Sequence, residues 1–436
     1  MKKIKLLLGL GLILAMLLSA CQDIGLDIPW LSPSTATSTP QAGIGNEATP
    51  TPDAEATAEA TEEPVTSLTL WVSPEMDPES GTEAGLILGE RLQLFSDRHG
   101  GLEIIVRIKD ASGTGGLLDA LTATNEAAPD ALPDLIALNR TDMESAALKG
   151  LIYPLDGLTE VPDDADWFDF THEMALLQGS TFGLPFAADS VVLTYRSASL
   201  DELPANWSDL LSGEISLAFP ADSNDALLTL ALYQAQGGLI QDNQRRPVLE
   251  AEPLTTVFGL YQTGAESGVL PPWLDQIQTL GQAWSAYREG QANMAITWAS
   301  NFLKELPADT TLAPLLPMAA GNVTLGTGMS WALATQDEAR QELAVELAEF
   351  MVDPQFMAAW ASAAGYLPTR PSALESWEDP ALATVLGQIG AISHLVPSND
   401  IITSLGPILQ EGTRQVLQGL MLPEQAAQTA VASLEE

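Results

Sequence analysis

From Ser67 onward, short runs rich in β-branched and aromatic residues alternate with longer runs whose apolar residues recur every three or four positions. No other feature constrains the fold of the chain as much. SLTLWV (67–72) reads as a strand and GLILGERLQLFSDRHG (85–100) as a helix stopped by glycine. LEIIVRIKD (102–110) is a second strand, LLDALTATNEAA a helix, PDLIAL (133–138) a third strand and DMESAALKG another helix. Parallel neighbours need a crossover between them, usually a helix, so this order predicts βαβ units and a mainly parallel sheet. The expected fold class is α/β.

The middle of the chain continues less regularly. TFGLPF (181–186) and SVVLTYR (190–196) read as two strands, NWSDLLSG as a short helix and EISLAFP as a strand. Several helices follow between 225 and 290, then the strand ANMAIT (292–297), an extended TTLAPLLP and the strand MSWALA (329–334). The last hundred residues are mostly helical. Thr335 with Glu338 has the form of a capping box, and Leu343, Leu347 and Met351 make one apolar stripe. Asp353-Pro354 ends that helix and opens the next, which stops at Gly365. Two further helices are predicted near 380–391 and 401–419, and there is no internal repeat.

The first 66 residues cannot join this body. Lys2, Lys3 and Lys5 precede an apolar run from Leu6 to Leu18 and the small pair Ser19-Ala20, the layout of a secretory signal. The run is too short to span a bilayer, which needs about 20 residues. Leu18-Ser19-Ala20-Cys21 resembles the lipobox of bacterial lipoproteins. That resemblance implies removal of residues 1–20, acylation of Cys21 and anchoring to the outer side of a membrane. Residues 32–66 are Ser, Thr, Pro, Ala and Glu with almost no large apolar side chain, so 21–66 is expected to be a disordered tether. A flexible chain of that length spans on the order of 30 Å.

Cys21 is the only cysteine, so the body has no disulfide and must be held by core burial. A hydrophobic content of 46% fits a globular chain, and 436 residues suggest about two domains. The net charge of −41 excludes nucleic acid, whose binding rests on Lys and Arg, and opposes docking on anionic lipid headgroups. Its acidic residues are spread along the chain, which points to solubility rather than to one cationic ligand.

Catalytic patterns fail one by one. His172-Glu173 begins an HExxH that ends in Leu176. Asp163, Asp164, Asp166 and Asp169 lack the glycine and distal glutamate of a calcium loop. Gly113-Thr114-Gly115-Gly116 would need glycine where Leu118 stands to bind a dinucleotide. Three histidines leave little for a metal site. Gly328-Met329-Ser330-Trp331-Ala332, with Asp379 and His394, has the order of a serine hydrolase. Its last glycine is replaced, however, and Ser330 begins a strand where a nucleophile elbow would end one. A carboxylate pair for glycoside hydrolysis remains open among 58 acidic residues. The chain is expected not to be an enzyme and to need no cofactor and no metal.

Five segments then share one resemblance: KGLIYPLDGL (149–158), TFGLPFAADSVVLTYR (181–196), QANMAITWASNF (291–302), VTLGTGMSWALA (323–334) and GYLPTRPSAL (365–374). With the lipobox and tether, their order resembles that of ABC-transporter extracellular solute-binding lipoproteins of the carbohydrate-binding, maltose-binding-protein-like branch. Arg196 departs from it, standing where the family often has asparagine. The resemblance implies a periplasmic-binding-protein-like fold of two α/β lobes, one of 67–187 with 319–365, the other of 188–318 with 366–436. It implies a sugar or oligosaccharide held between them at the carboxyl ends of strands, a monomer, and delivery to ABC permease subunits.

The residues expected at the ligand are Trp71 and Ser73 at the end of the first strand, Asn139 and Arg140 after the third, and Asp189 at the crossing. Trp298 and Asn301 follow the ANMAIT strand, Gly328 and Met329 lie at the mouth of the return strand, and Tyr366 lies at the lobe border. Trp331 and Trp360 are expected in the core. A polyamine or other cation is the alternative ligand within the same class, and an exported hydrolase using Ser330 or a carboxylate pair is the alternative outside it.

Overall fold

The computed structural model describes residues 64–200 and 202–435. The signal segment, Cys21 and the tether up to residue 63 lie outside the described residues. The first half alternates as the pattern requires: β1 (Ser67–Val72), α1 (Glu83–Arg98), β2 (Glu103–Ile108), α2 (Leu117–Ala127), β3 (Leu135–Asn139), α3 (Arg140–Leu148) and α4 (Asp169–Ala175). β1 pairs in parallel with both β2 and β3. Leu68, Leu70, Trp71 and Val72 are all buried, as a strand covered on both faces demands.

The expected strands 181–186 and 190–196 are in fact one, β4 (Leu184–Arg196). Nothing at Ala187-Ala188-Asp189 interrupts it, because the ladder changes partner instead of ending. From Leu184 to Ser190 it pairs antiparallel with β8 (Thr324–Leu333). From Val191 it pairs with β6 (Met294–Trp298), and from Leu193 also with β7 (Thr310–Ala313). β8 likewise begins earlier than MSWALA and lies antiparallel to β3. β5 (Leu217–Ala218), all that forms of the expected EISLAFP strand, pairs in parallel with β6, and β9 (Ser393–Leu395) with β8. The central order is β2-β1-β3-β8-β4-β6-β5.

The helices of the second half are α5 (Trp207–Leu211), α6 (Leu227–Ala235), α7 (Ala251–Ser267), α8 (Leu280–Arg288), α9 (Ala299–Glu305), α10 (Glu338–Met351), α11 (Pro354–Ala364), α12 (Pro380–Ile392), α13 (Asn399–Leu417) and α14 (Pro423–Glu435). α10 is capped by Asp337, whose side chain accepts from Arg340 N, and not by Thr335. Asp at this position needs no help from Thr335, whose hydroxyl accepts from Asp337 N instead. α14 was not foreseen because its inward face is alanine (Ala426, Ala427, Ala430), which gives little periodic contrast.

Two large cores result. One gathers Leu68, Leu70, Phe95, Leu135, Phe186, Trp331, Met351 and Trp360 from β1, α1, β3, β4, β8, α10 and α11. The other gathers Val191, Leu217, Phe258, Tyr261, Tyr287, Ile296 and Leu405 from β4 onward. Trp331 stacks on Phe186 with ring centroids 4.5 Å apart, so both it and Trp360 are core residues as expected. β4 and β8 are the strands that pass between the two regions.

Candidate functional site

The carboxyl ends of β1, β3 and β6 converge on the crossing strands. Asp189, at the point where β4 changes partner, is 8% exposed. Its carboxylate accepts from Ser190 N at 2.9 Å, from Ser300 N at 3.0 Å and from the Ser300 hydroxyl. Burial pushes its pKa up to about 6, against the pull of those hydrogen bonds and of the nearby Lys304 charge.

Lys304, on α9, reaches across to the short turn after β1. Its Nζ lies 3.4 Å from Glu75 Oε1 and 3.2 Å from Tyr366 Oη, and 4.5 Å from the Tyr366 ring centroid. The Tyr366 hydroxyl donates to the other Glu75 oxygen. Burial, then the adjacent Glu75 carboxylate, drives the Tyr366 phenol strongly upward. Trp360 lies parallel to Tyr366 on the core side, centroids 6.2 Å apart. Glu75, Asp189, Ser300, Lys304 and Tyr366 thus form one constellation drawn from four separate stretches of chain.

The expected site residues divide between three places. Asp189 and Tyr366 belong to that constellation. Trp298 and Asn301 flank it at the end of β6, both half-buried; the Asn301 amide donates to Thr297 Oγ1 at 2.8 Å. A second group lies at the end of β3. Met329 pairs with Asn139, Asn139 caps α3 by accepting from Asp142 N, and Arg140 donates to the Met174 carbonyl at 3.3 Å. Burial lowers the Arg140 pKa and raises that of Asp142. Gly328 belongs to this group because a Cβ there would meet Ala187 O at 2.1 Å and the Met174 methyl at 3.0 Å. A cavity of about 220 Å³, walled by Ser112, Gly113, Leu118, Asp119, Asp142 and Lys149, adjoins it. The third place is the interior: Trp71 is 2% exposed beneath Lys109, and Ser73 is 5% exposed.

Glu75, Ser300 and Lys304 were missed. Charged and hydroxyl residues on an acidic chain carry no local signal, and Lys304 meets Glu75 across 229 positions. The position of Ser300 two residues past the end of a strand is the only sequence cue.

The hydrolase constellation is not assembled. Ser330 is 1% exposed inside β8 and its hydroxyl has no partner among the described residues. His394 pairs with Leu325, five residues and therefore roughly 16 Å along the strand, and Asp379 caps α12. The acidic run is also accounted for: Asp164 and Asp166 hold the buried Arg370, which lies 4.0 Å over the Trp167 ring. A groove of about 650 Å³ between Trp167, Phe168, Leu374 and Trp377 takes none of its walls from the strand ends.

The family model for bacterial extracellular solute-binding proteins matches residues 91–384, more than half of the chain. Solved structures match over most of their length. A cyclo/maltodextrin-binding protein complexed with maltotetraose superposes with a TM-score of 0.70 at 18% identity, covering 86% of this chain and 98% of that one. The cyclic alpha-maltosyl-1,6-maltose binding protein from Arthrobacter globiformis gives 0.69 at 14% identity, covering 85% and 98%. The sugar-binding protein MalE from the phytopathogen Xanthomonas citri gives 0.67 at 18% identity, covering 85% and 96%. A search of curated protein sequences returned no match.

The fold is the two-lobed α/β fold of these binding proteins. The chain belongs to the bacterial extracellular solute-binding protein family, a family that captures solutes outside the cytoplasm without transforming them.

Proposed function

We propose that the chain captures a sugar or oligosaccharide between lobes formed by 67–187 with 319–365 and by 188–318 with 366–436, and hands it to the permease subunits of an ABC importer. Acylated Cys21 anchors it to the membrane, with 21–66 as its tether. The observation that carries this reading is the constellation of Glu75, Asp189, Ser300, Lys304 and Tyr366, where the ends of β1 and β6 meet the crossing strand β4. Those groups supply acceptors and donors for hydroxyls, and Trp298 supplies a flat apolar face beside them. The structural neighbours are maltodextrin- and sugar-binding proteins, which supports the choice of ligand class.

Calorimetric titration with maltose, maltotriose and maltotetraose tests it. Saturable binding, weakened about tenfold by Trp298→Ala, is the expected result. A panel of neutral saccharides that gives neither heat nor a thermal shift would remove the carbohydrate assignment.

A further inference from the structure

We propose that Lys304 sets the charge class of the ligand: its ammonium occupies a niche for a cation, and by filling it the chain reserves the site for uncharged, hydroxyl-bearing ligands. This rests on the reading that the constellation around Asp189 is the ligand site.

The niche has the parts that recognise an organic cation. One wall is the face of the Tyr366 ring, 4.5 Å from Lys304 Nζ, within the range in which a ring quadrupole attracts a positive charge. A second is Glu75, whose Oε1 lies 3.4 Å away. The Asp189 carboxylate lies further off, within electrostatic range of the Lys304 charge. A ring and a carboxylate would hold an amine ligand well. In this chain the amine already present is the chain's own.

The two carboxylates are also committed. Asp189 takes both donors of Ser300 and the N–H of Ser190, and Glu75 takes the Tyr366 hydroxyl and Lys304. An incoming ammonium would meet a like charge at its binding position and acceptors that are already used. A sugar hydroxyl meets no such repulsion, and its oxygen can accept from Lys304. Lys304 is therefore a specificity-determining residue rather than a strut. The ion pair itself is half-open to solvent, its side chains 39% and 56% exposed, and pairs of that kind contribute little to stability.

The test compares the wild-type chain with Lys304→Ala, Lys304→Arg and the double variant Lys304→Ala with Glu75→Gln. Each is titrated with spermidine and with n-butylammonium at moderate salt. A chain of net charge −41 attracts polyamines at many places, so the readout is the difference between variants. Expected is at least a tenfold gain in spermidine affinity for Lys304→Ala, no gain for Lys304→Arg, and loss of the gain in the double variant. A thermal shift by n-butylammonium is expected for Lys304→Ala alone. Equal amine binding by wild type and Lys304→Ala, with thermal unfolding still cooperative, overturns the proposal, as does a gain that survives Glu75→Gln. If Lys304→Ala does not fold, Lys304→Gln gives the same comparison. Maltotriose is titrated into the same samples: silence there counts against the carbohydrate reading, while the amine measurements decide the role of Lys304 on their own.

Discussion

Asp189 is the residue on which pH should act. Its carboxyl titrates near 6 in the folded chain against an ordinary value of 3.8, because burial disfavours its charge. Between those values the native state holds the extra proton, so this group makes stability fall as pH rises from about 4 to about 6 and has no further effect above. The difference amounts to about 3 kcal/mol. Urea denaturation at pH 4 and pH 7 should show that loss in the wild type and not in Asp189→Asn; parallel pH profiles for the two would refute the assignment. At this scale the sequence was legible where a residue stood at a crossing or at the lobe border, as Asp189 and Tyr366 did. It was not legible for Glu75 and Lys304, whose roles come from meeting each other. Trp71 shows the converse: an aromatic at a strand end reads as a platform, yet its ring fills the interior beneath Lys109.

Among the elements, two joints deserve mutational test. Asp134, its side chain only 3% exposed, accepts from Thr69 N and holds the Arg340 guanidinium in a fork at 2.6 and 2.7 Å. It locks α10 to the base of β1 and β3. Arg340→Ala leaves that carboxylate buried and unpaired, and should cost about 3–5 kcal/mol in equilibrium denaturation, against little for the double change with Asp134→Asn. Gly328, on β8, lies so close to β4 that a Cβ would overlap Ala187 O. Gly328→Ala should therefore destabilise by about 1–3 kcal/mol, and a variant of unchanged midpoint would contradict the packing described. The element order was readable because β-rich and helical periods differ. The union of two expected strands into β4 was not, since continuity depends on partners 100 or more residues away that no local pattern reveals.

For the molecule as a whole, the alternation of strands and helices announced an α/β fold, the resemblance of five segments implied its two lobes, and the solved structures bear that fold out. What the lobes hold was less legible, because a ligand site is assembled from stretches that the chain brings together only on folding. A saccharide that binds the native state alone should raise the unfolding free energy by about 2.7 kcal/mol at a hundredfold excess over its Kd, read as a rise in melting temperature; a neutral saccharide that binds calorimetrically yet leaves the melt unmoved would mean that it binds the unfolded chain as well.

β4 has one more consequence. Its first seven residues are stitched to β8 and its last six to β6 and β7, so one ribbon of backbone belongs to the interior of both halves. Fraying either half would strip the ribbon of partners needed by the other. The molecule should accordingly melt in one concerted event despite its two cores, with the amides of Ala187 to Leu193 the last to trade their protons for deuterium.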